Sequence, residues 1–493
     1  MSTVSTKPAR LGRLPELLLL ILALGIGLFA WVLITANIQG DGSLMLPESF
    51  IPAALGAAVV VFGAHIAVRV VAPWADPVLF PIAVLLNLLG LAMIHRIDYS
   101  LVARGEGAQV GGQLALSAVG LVLMAGTVIV LKDHRRLRRF TYISLIFGIV
   151  LLLLPMIPGL GVQIYGAQLW IRVAGHSYQP AELAKICFAV FFAGYLVAQR
   201  DNLALAGPKL LGIQFPQLRH FAPILVAWLA CLGILAVERD FGTALLFFGL
   251  FVAMLYVATE RVSWIVIGIA LSALGVIPIV KTMGHIQNRI NIWLHALEPA
   301  VYDGSPGSYQ LVQGMFGMAS GGLFGTGWGK GYPANAFAAN SDFIIPSIGE
   351  ELGLTATIAV LCLFLLLVAR AFMIGLRLHD GFGKLLATGL GFTIAIQCFV
   401  TVGGVARVMP LTGLAMPFMA LGGSALLTNW IIIGILLRMS DDARRPLQAP
   451  MTPLSAVDTG ELNRILGQAE DEDLDLSAND ASADSNPTEV VKL

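Results

Sequence analysis

Of the 493 residues, 57% are hydrophobic and only 12% are charged, with a net charge of zero. A soluble domain carries about 25% charged residues. A chain this apolar, with mean hydropathy +0.83, cannot cover itself with polar surface, which excludes a soluble globular protein and makes lipid its outer solvent.

The chain opens with Lys7, Arg10 and Arg13 ahead of an apolar stretch from Glu16 to Ile34. That stretch is too long for the core of a signal peptide, and further spans follow, so it reads as a retained first helix. Successive apolar stretches predict membrane spans at 16–36, 50–71, 77–95, 112–132, 140–158, 181–199, 220–237, 241–258, 262–281, 350–374, 385–405 and 414–438. The predicted fold is an all-α polytopic membrane protein of about twelve helices. Lys and Arg gather in the N-terminal segment, in 132–139, at Arg200, Lys209 and Arg219, at Arg377 and Lys384, and at Arg438, Arg444 and Arg445. In an even-span arrangement all of these fall on one side, which the distribution of positive charge makes cytoplasmic, both termini included. Cys187, Cys231, Cys362 and Cys398 lie in apolar runs without ligand spacing, so they imply neither disulfide nor metal.

Polar residues at membrane depth are costly and need reasons. Gln179 to Lys185 opens a helix on the outer side, with Pro180 suited to its first turn. Lys185 should face a carboxylate or a wet cavity, or else snorkel to the interface. Glu238, Arg239 and Asp240 form a very short outer turn, ordinary for solvated residues, followed by the small pair Gly242-Thr243. The long outer segment from about Lys281 to Gly349 is rich in aromatics and should pack or lie in the interface as helical pieces. Its run from Gly321 to Gly331 lacks phosphate-loop spacing, since Phe324 stands at the first glycine and Gly331 follows Lys330. Close backbone packing or a re-entrant turn fits it better, and neither nucleotide nor nucleic acid is expected as a ligand.

Asp303 lies in a turn-like stretch, Asp342 precedes Phe343, and Glu350-Glu351 open the next helix, where carboxylates also suit the helix dipole. Arg407 precedes Pro410. Lys185, Arg239, Asp240, Asp303, Asp342 and Arg407 could converge on one outward cavity whose cations suit an anionic headgroup and whose carboxylate suits a general base. After about 440 the chain turns acidic and polar, as in a disordered cytoplasmic tail.

Taken in order, Gln179-Pro180-Ala181-Glu182-Leu183-Ala184-Lys185, Asp240-Phe241-Gly242-Thr243-Ala244, Ser308-Tyr309-Gln310, Gly321-Gly322-Leu323-Phe324-Gly325, Asp342-Phe343-Ile344, Gly349-Glu350-Glu351-Leu352-Gly353, and Leu411-Thr412-Gly413 with Pro417 and Gly422-Gly423-Ser424 resemble the SEDS family (shape, elongation, division and sporulation), which includes RodA and FtsW. Gly403 to Leu414, and two additional N-terminal helices, resemble its actinobacterial RodA branch. The resemblance implies three regions: 1–76 with the extra helices, a core over 77–440 with the outer loop 282–349, and the tail 441–493.

It further implies a peptidoglycan glycosyltransferase that polymerises lipid II on the outer face of the cell membrane, beside a class B penicillin-binding protein. Asp303, six residues before Tyr309, would be the catalytic carboxylate, with Glu298 as the competing position, and Lys185 its partner. Arg239, Asp240, Arg289, Tyr309, Gln310, Asp342, Glu350, Arg407 and Ser424 would contact substrate. No fixed cofactor is implied, although a divalent cation (Mg2+ or Mn2+) could help to stabilise the departing diphosphate. The chain departs from the family pattern at Gly304, Asn340-Ser341 and Ala420-Leu421. A lipid II flippase and a scaffold for cell-wall enzymes are the competing roles. The scarcity of polar residues in the cytoplasmic halves of the spans weighs against the flippase.

Overall fold

The computed structural model describes residues 13–39, 50–164, 167–173, 175–204, 209–210, 213–214 and 218–446. Its helices are α1 (Arg13–Gln39), α2 (Phe50–Val71), α3 (Leu79–Ala103), α4 (Val110–Val130), α5 (Thr141–Leu153), α6 (Pro180–Ala204), α7 (Leu218–Glu238), α8 (Phe241–Thr259), α9 (Ser263–Thr282), α10 (Gly284–Leu294), α11 (Pro299–Tyr302), α12 (Tyr309–Gly321), α13 (Ile344–Arg377), α14 (Gly381–Val405) and α15 (Gly423–Arg444). Among the described residues ten helical segments are long and apolar enough to cross a bilayer. Helices α7 and α9 occupy the two remaining predicted spans. Helices are the expected solution, because a backbone surrounded by lipid must satisfy its own hydrogen bonds.

Helix α15 lies along α4, α14 along α13, α6 along α5, and α1 along α3. The two extra helices therefore pack on the core rather than apart from it: α1 on α3, and α2 on α4. The close crossings use glycine. A Cβ at Gly120 would meet Trp430 Cδ1 at 2.3 Å, and one at Gly90 would meet the Met419 carbonyl oxygen at 2.3 Å. Short strands β1 (Gly161–Ile164), β2 (Ala167–Val173) and β3 (His176–Tyr178) form an antiparallel sheet between α5 and α6, and β4 (Lys209–Leu210) pairs with β5 (Ile213–Gln214) between α6 and α7. Neither sheet is foreseen by hydropathy.

The last predicted span needs correction. It was expected over 414–438, yet α15 begins at Gly423. The residues before it run through the protein interior as extended backbone and a turn, with a single helical bond, from the Ala420 amide to the Met416 carbonyl (3.1 Å), and Phe418 has φ 63°. Such backbone is tolerated at membrane depth only where protein groups satisfy it, and neighbouring side chains do so. Thr401 Oγ1 donates to the Leu414 carbonyl at 3.1 Å, Gln397 Nε2 to Ala415 at 2.9 Å, Asn87 Nδ2 to Phe418 at 3.0 Å, and Gln113 Nε2 to Ala420 at 3.1 Å. Helix α13 also starts earlier than expected, at Ile344, and is broken at Gly353 (φ 77°).

The segment from α10 to the start of α13 marks one end of the bundle, the loop-bearing end. At the opposite end, Asp76 pairs with Arg370 and with Arg444 (2.7 Å), and Asp441 with Arg445 (2.8 Å) and Arg438 (3.4 Å). Asp441 also accepts from the Trp74 amide at 2.8 Å, which ties α15 to the α2–α3 connection. The tail expected over 441–493 begins later than predicted, because residues 441–444 complete α15 and are held by these ion pairs; from 447 onward it lies outside the described residues.

Candidate active site at the loop-bearing end

Pro180 starts α6 at a position where its missing amide hydrogen costs nothing, and Lys185 follows just over one turn later, only 2% exposed. The expected pair with Asp303 is not made. Lys185 Nζ instead sits 2.6 Å from Glu182 Oε2 and donates to Gln397 Oε1 at 2.9 Å. The reason is local. A lysine at this depth requires a partner, and the residue three positions earlier on the same helix face supplies one. Asp303 caps the short α11 and is exposed. Among the described residues its carboxylate makes no hydrogen bond or ion pair.

Asp240 caps α8, accepting from the Thr243 amide (3.0 Å) and hydroxyl (2.6 Å). Gln179 Nε2 reaches it at 3.3 Å, and the Gln179 amide donates to Ser424 Oγ at 2.8 Å, so one residue joins the starts of α6, α8 and α15. Burial pushes the Asp240 carboxyl above the usual range, against the pull of the two Thr243 bonds. Asp342 behaves alike: burial raises it, while the Ser341 hydroxyl (3.1 Å) and the Arg289 charge lower it. Arg289 is thus the shared cation of two buried acids. It is fixed in place by donating to the carbonyls of Leu411 (3.0 Å) and Thr412 (3.2 Å).

The amphipathic α10 is fastened to the bundle by reciprocal bonds. Arg407, at φ 59°, donates Nε to the Trp293 carbonyl (2.7 Å) and Nη2 to Leu294 (2.6 Å), and Trp293 Nε1 donates to the Arg407 carbonyl (3.0 Å). Arg407 therefore anchors the loop with at least two of its donors. Arg239 stays exposed at the α7–α8 turn with φ 64°. Tyr302 stacks near Tyr309 (ring centroids 5.5 Å apart) and packs in a small cluster with Leu411. This places Asp303 next to a residue rooted in the Arg289 neighbourhood. Glu298 is engaged by His295 Nδ1 at 2.7 Å. Gln310 donates to the Phe337 carbonyl (2.9 Å), and Glu350 accepts from the Tyr332 amide (2.6 Å).

The glycine-rich run is a packing device. A Cβ at Gly321 would lie 2.0 Å from the Gly349 carbonyl oxygen, and one at Gly325 2.2 Å from that of Glu351. Glu351, wholly buried, accepts from the Gly329 amide (2.9 Å) and pairs with Arg96 (2.7 Å).

Sequence reasoning missed Gln397, a single amide in an otherwise apolar helix centre, and did not use the Glu182–Lys185 spacing. It also missed His285. This residue lies in the first turn of α10, its ring 5.4 Å from Phe241. Its pKa is held below the ordinary value, first by burial and then by the charges of Arg239 and Arg289. Arg239 and Arg289 make a cationic patch near Asp240, with the imidazole of His285 beside them.

As for metals, the group of three candidate ligands found among the described residues is His134, Asp380 and Asp442, at the opposite end. Arg135 already faces both of its carboxylates (3.5 and 3.6 Å). Among the described residues no comparable cluster of ligand atoms gathers at the loop-bearing end.

Residues 76–445 match the FtsW/RodA/SpoVE family, described as "Cell cycle protein". The chain belongs to the SEDS family. Over 466 residues it is 41% identical to the peptidoglycan glycosyltransferase RodA of Mycobacterium tuberculosis, covering 93% of this chain and 98% of that one. It is 32% identical over 369 residues to a probable peptidoglycan glycosyltransferase FtsW of Geobacter metallireducens, covering 74% and 94%. Among solved structures it shares its fold with a chain from a peptidoglycan synthase complex coordinating polymerization and crosslinking (TM-score 0.56, 23% identity, 73% and 98% covered). It also shares it with the Thermus thermophilus rod shape determining protein RodA (TM-score 0.51, 24% identity, 76% and 98%).

Proposed function

We propose that this SEDS protein is a peptidoglycan glycosyltransferase that polymerises lipid II during cell elongation, with the loop-bearing end outside the cell and both termini in the cytoplasm. The basic connections at the opposite end support that orientation. The observation that carries the assignment is an exposed, unpaired carboxylate at Asp303 on a loop anchored beside a cationic patch.

In this reading Asp303 accepts the proton of the acceptor sugar's 4-hydroxyl. The hydroxyl oxygen then bonds to the donor's anomeric carbon, and the carbon–oxygen bond to the lipid diphosphate breaks with its electron pair on the diphosphate. One displacement converts an α-linked donor into a β-1,4 linkage. Arg239, Arg289 and His285 receive the departing charge. The charges of Asp240 and Asp342 act on Arg289, which the carbonyls of Leu411 and Thr412 hold in place, and Gln179 and Ser424 lock the helix starts. Lys185, paired with Glu182 and Gln397, keeps the wall of α6 and α14 in register. Tyr309 and Gln310 shape the ground under Asp303. A class B penicillin-binding protein would crosslink the product, in keeping with the synthase complex that shares this fold.

The deciding experiment is polymerisation of purified lipid II by the purified protein together with its transpeptidase partner, read as glycan length on a gel. Loss of product with Asp303→Asn in a folded protein supports the reading. Full activity in that variant would exclude Asp303 as the base, and translocation in vesicles without polymer would favour a flippase.

A further inference from the structure

Glu350 and Glu351 are neighbours on α13 with opposite circumstances. Glu351 is neutralised by Arg96. Glu350, only 8% exposed, has one oxygen, Oε1, on the Tyr332 amide. Among the described residues its other oxygen, Oε2, accepts no hydrogen bond, and no cation pairs with it. A buried carboxylate without a cation is costly. Arg96 is spent on Glu351 and the Gly331 carbonyl (2.7 Å each), and Arg104 on the Ala334 carbonyl (2.8 Å) and Asn335 Oδ1 (3.5 Å).

Glu350 lines a cavity of about 190 Å³ between α12, α13 and the turn around Tyr332. The cavity exists there because residue 317 is glycine: a Cβ at that position would stand 2.8 Å from Oε2. Two further acceptors face it. Ser320 spends its hydroxyl hydrogen on the Gly317 carbonyl (2.8 Å), and Gln313 spends its amide NH2 on the Tyr302 hydroxyl (2.9 Å). Through its hydroxyl, Tyr302, the residue preceding Asp303, is thereby linked to this cavity. Three acceptors, one of them anionic, match the three donors of an alkylammonium group.

We infer that the cavity at Glu350 is a subsite for a primary ammonium group on the substrate's peptide stem. The inference rests on the lipid II reading: a stem destined for crosslinking must carry a free amine to be acylated. The Gln313–Tyr302 bond connects the cavity wall to the residue before Asp303, and an extended pentapeptide, spanning about 17 Å, is long enough to reach beyond the sugar it is attached to. The ammonium docks without reaction, its charge meeting Oε2 of the largely buried Glu350 side chain at the floor of an open cavity, which fixes the stem while the sugar reacts elsewhere.

The test measures binding of lipid II to the full-length protein in nanodiscs, using substrate with the stem amine free or N-acetylated. The wild type should bind the free-amine form about tenfold more tightly, the scale of a charge-assisted hydrogen bond. Glu350→Gln keeps the acceptor for Tyr332 but removes the charge, and should bring the two affinities within about twofold. Gly317→Ala fills the cavity without changing charge and should do the same. Equal affinities in the wild type, or an undiminished preference in both variants, would overturn the subsite. Because the readout is binding, it stands apart from catalysis. If wild-type protein binds with the expected preference yet makes no polymer, the glycosyltransferase reading fails and the subsite survives.

Discussion

At the end of the bundle away from the long loop, two buried acids each meet two arginines: Asp76 faces Arg370 and Arg444, and Asp441 faces Arg438 and Arg445. At the loop-bearing end cations are fewer per acid. Glu351 and Glu182 have one partner each, Arg96 and Lys185, Asp240 and Asp342 share the field of Arg289, and among the described residues Glu350 and Asp303 have no paired cation. A saturated network resists change and serves to hold helices together. An unsaturated one has capacity left for a charged, polar substrate. The difference teaches where to look for chemistry in a protein whose net charge is zero.

The largest effect should come from Asp303→Ala. Loss of a general base costs about 10²–10⁴ in rate, and a drop near a thousandfold in lipid II polymerisation is expected. Since Asp303 is exposed and unpaired, thermal stability in detergent should move by less than about 0.5 kcal/mol. An inactive variant that is also unfolded would erase the contrast. Asp76→Asn should behave in the opposite way. It leaves two arginines around a neutral amide, and breaking a buried ion pair costs about 3–5 kcal/mol. Its melting temperature should fall markedly, while rate per folded molecule stays near wild type. Unchanged stability would show that the opposite end is not the structural one.

A smaller effect concerns pH. His285 titrates below the ordinary histidine value of about 6.5 because burial and the charges of Arg239 and Arg289 disfavour its cation. It is therefore neutral at pH 7 and becomes charged only as pH falls through that lowered pKa. If it faces the diphosphate, KM for lipid II should fall by about threefold once pH drops below 7 and through that lowered pKa, an order-of-magnitude expectation for one added charge. His285→Asn should flatten the dependence. A KM with the same slope in that variant would remove His285 from the anion site.

Much of the frame is legible in the sequence, because a membrane helix announces itself by composition. The span predicted at 50–71 coincides with α2, and 241–258 differs from α8 by one residue. Hydropathy fails where an apolar stretch is not helical. Residues 414–422 are as apolar as a helix, and only Gln397, Thr401, Asn87 and Gln113, distant in sequence, reveal that an extended strand of backbone must be satisfied there. The site is legible in a similar, partial way. Asp240 and Asp342 can be singled out as charges near span ends, but their common dependence on Arg289 is set by the path of the loop. The Lys185–Asp303 pair expected from the resemblance gives way to Glu182, which the spacing on α6 already offered. Arg407 looks like a ligand for substrate and proves to be engaged by two backbone carbonyls, a role that depends on φ and cannot be read from composition.

The smallest effect concerns the extra helix α1, whose two ends repeat the contrast. Near its start the buried Glu16 pairs with Arg69 and lies 2.7 Å from His65 Nδ1, so the opposite end of the bundle grips it with charge. Near its other end the exposed Asn37 donates to the Trp328 carbonyl at 2.7 Å, and Ile34 and Ile38 pack around Trp328. Trp328 belongs to the glycine-rich run that also supplies the Gly329 amide to Glu351, so α1 touches the loop-bearing end through one neutral bond and a small apolar cluster. Replacing Asn37 by Ala should cost about 0.5–1 kcal/mol, the net value of a solvent-exposed hydrogen bond, and should lower polymerisation less than twofold, about 0.4 kcal/mol on the scale where a factor of ten is 1.4. A much larger loss of activity at unchanged stability would mean that α1 steers the loop rather than merely resting against it, and that the extra helices belong to the catalytic end of the molecule.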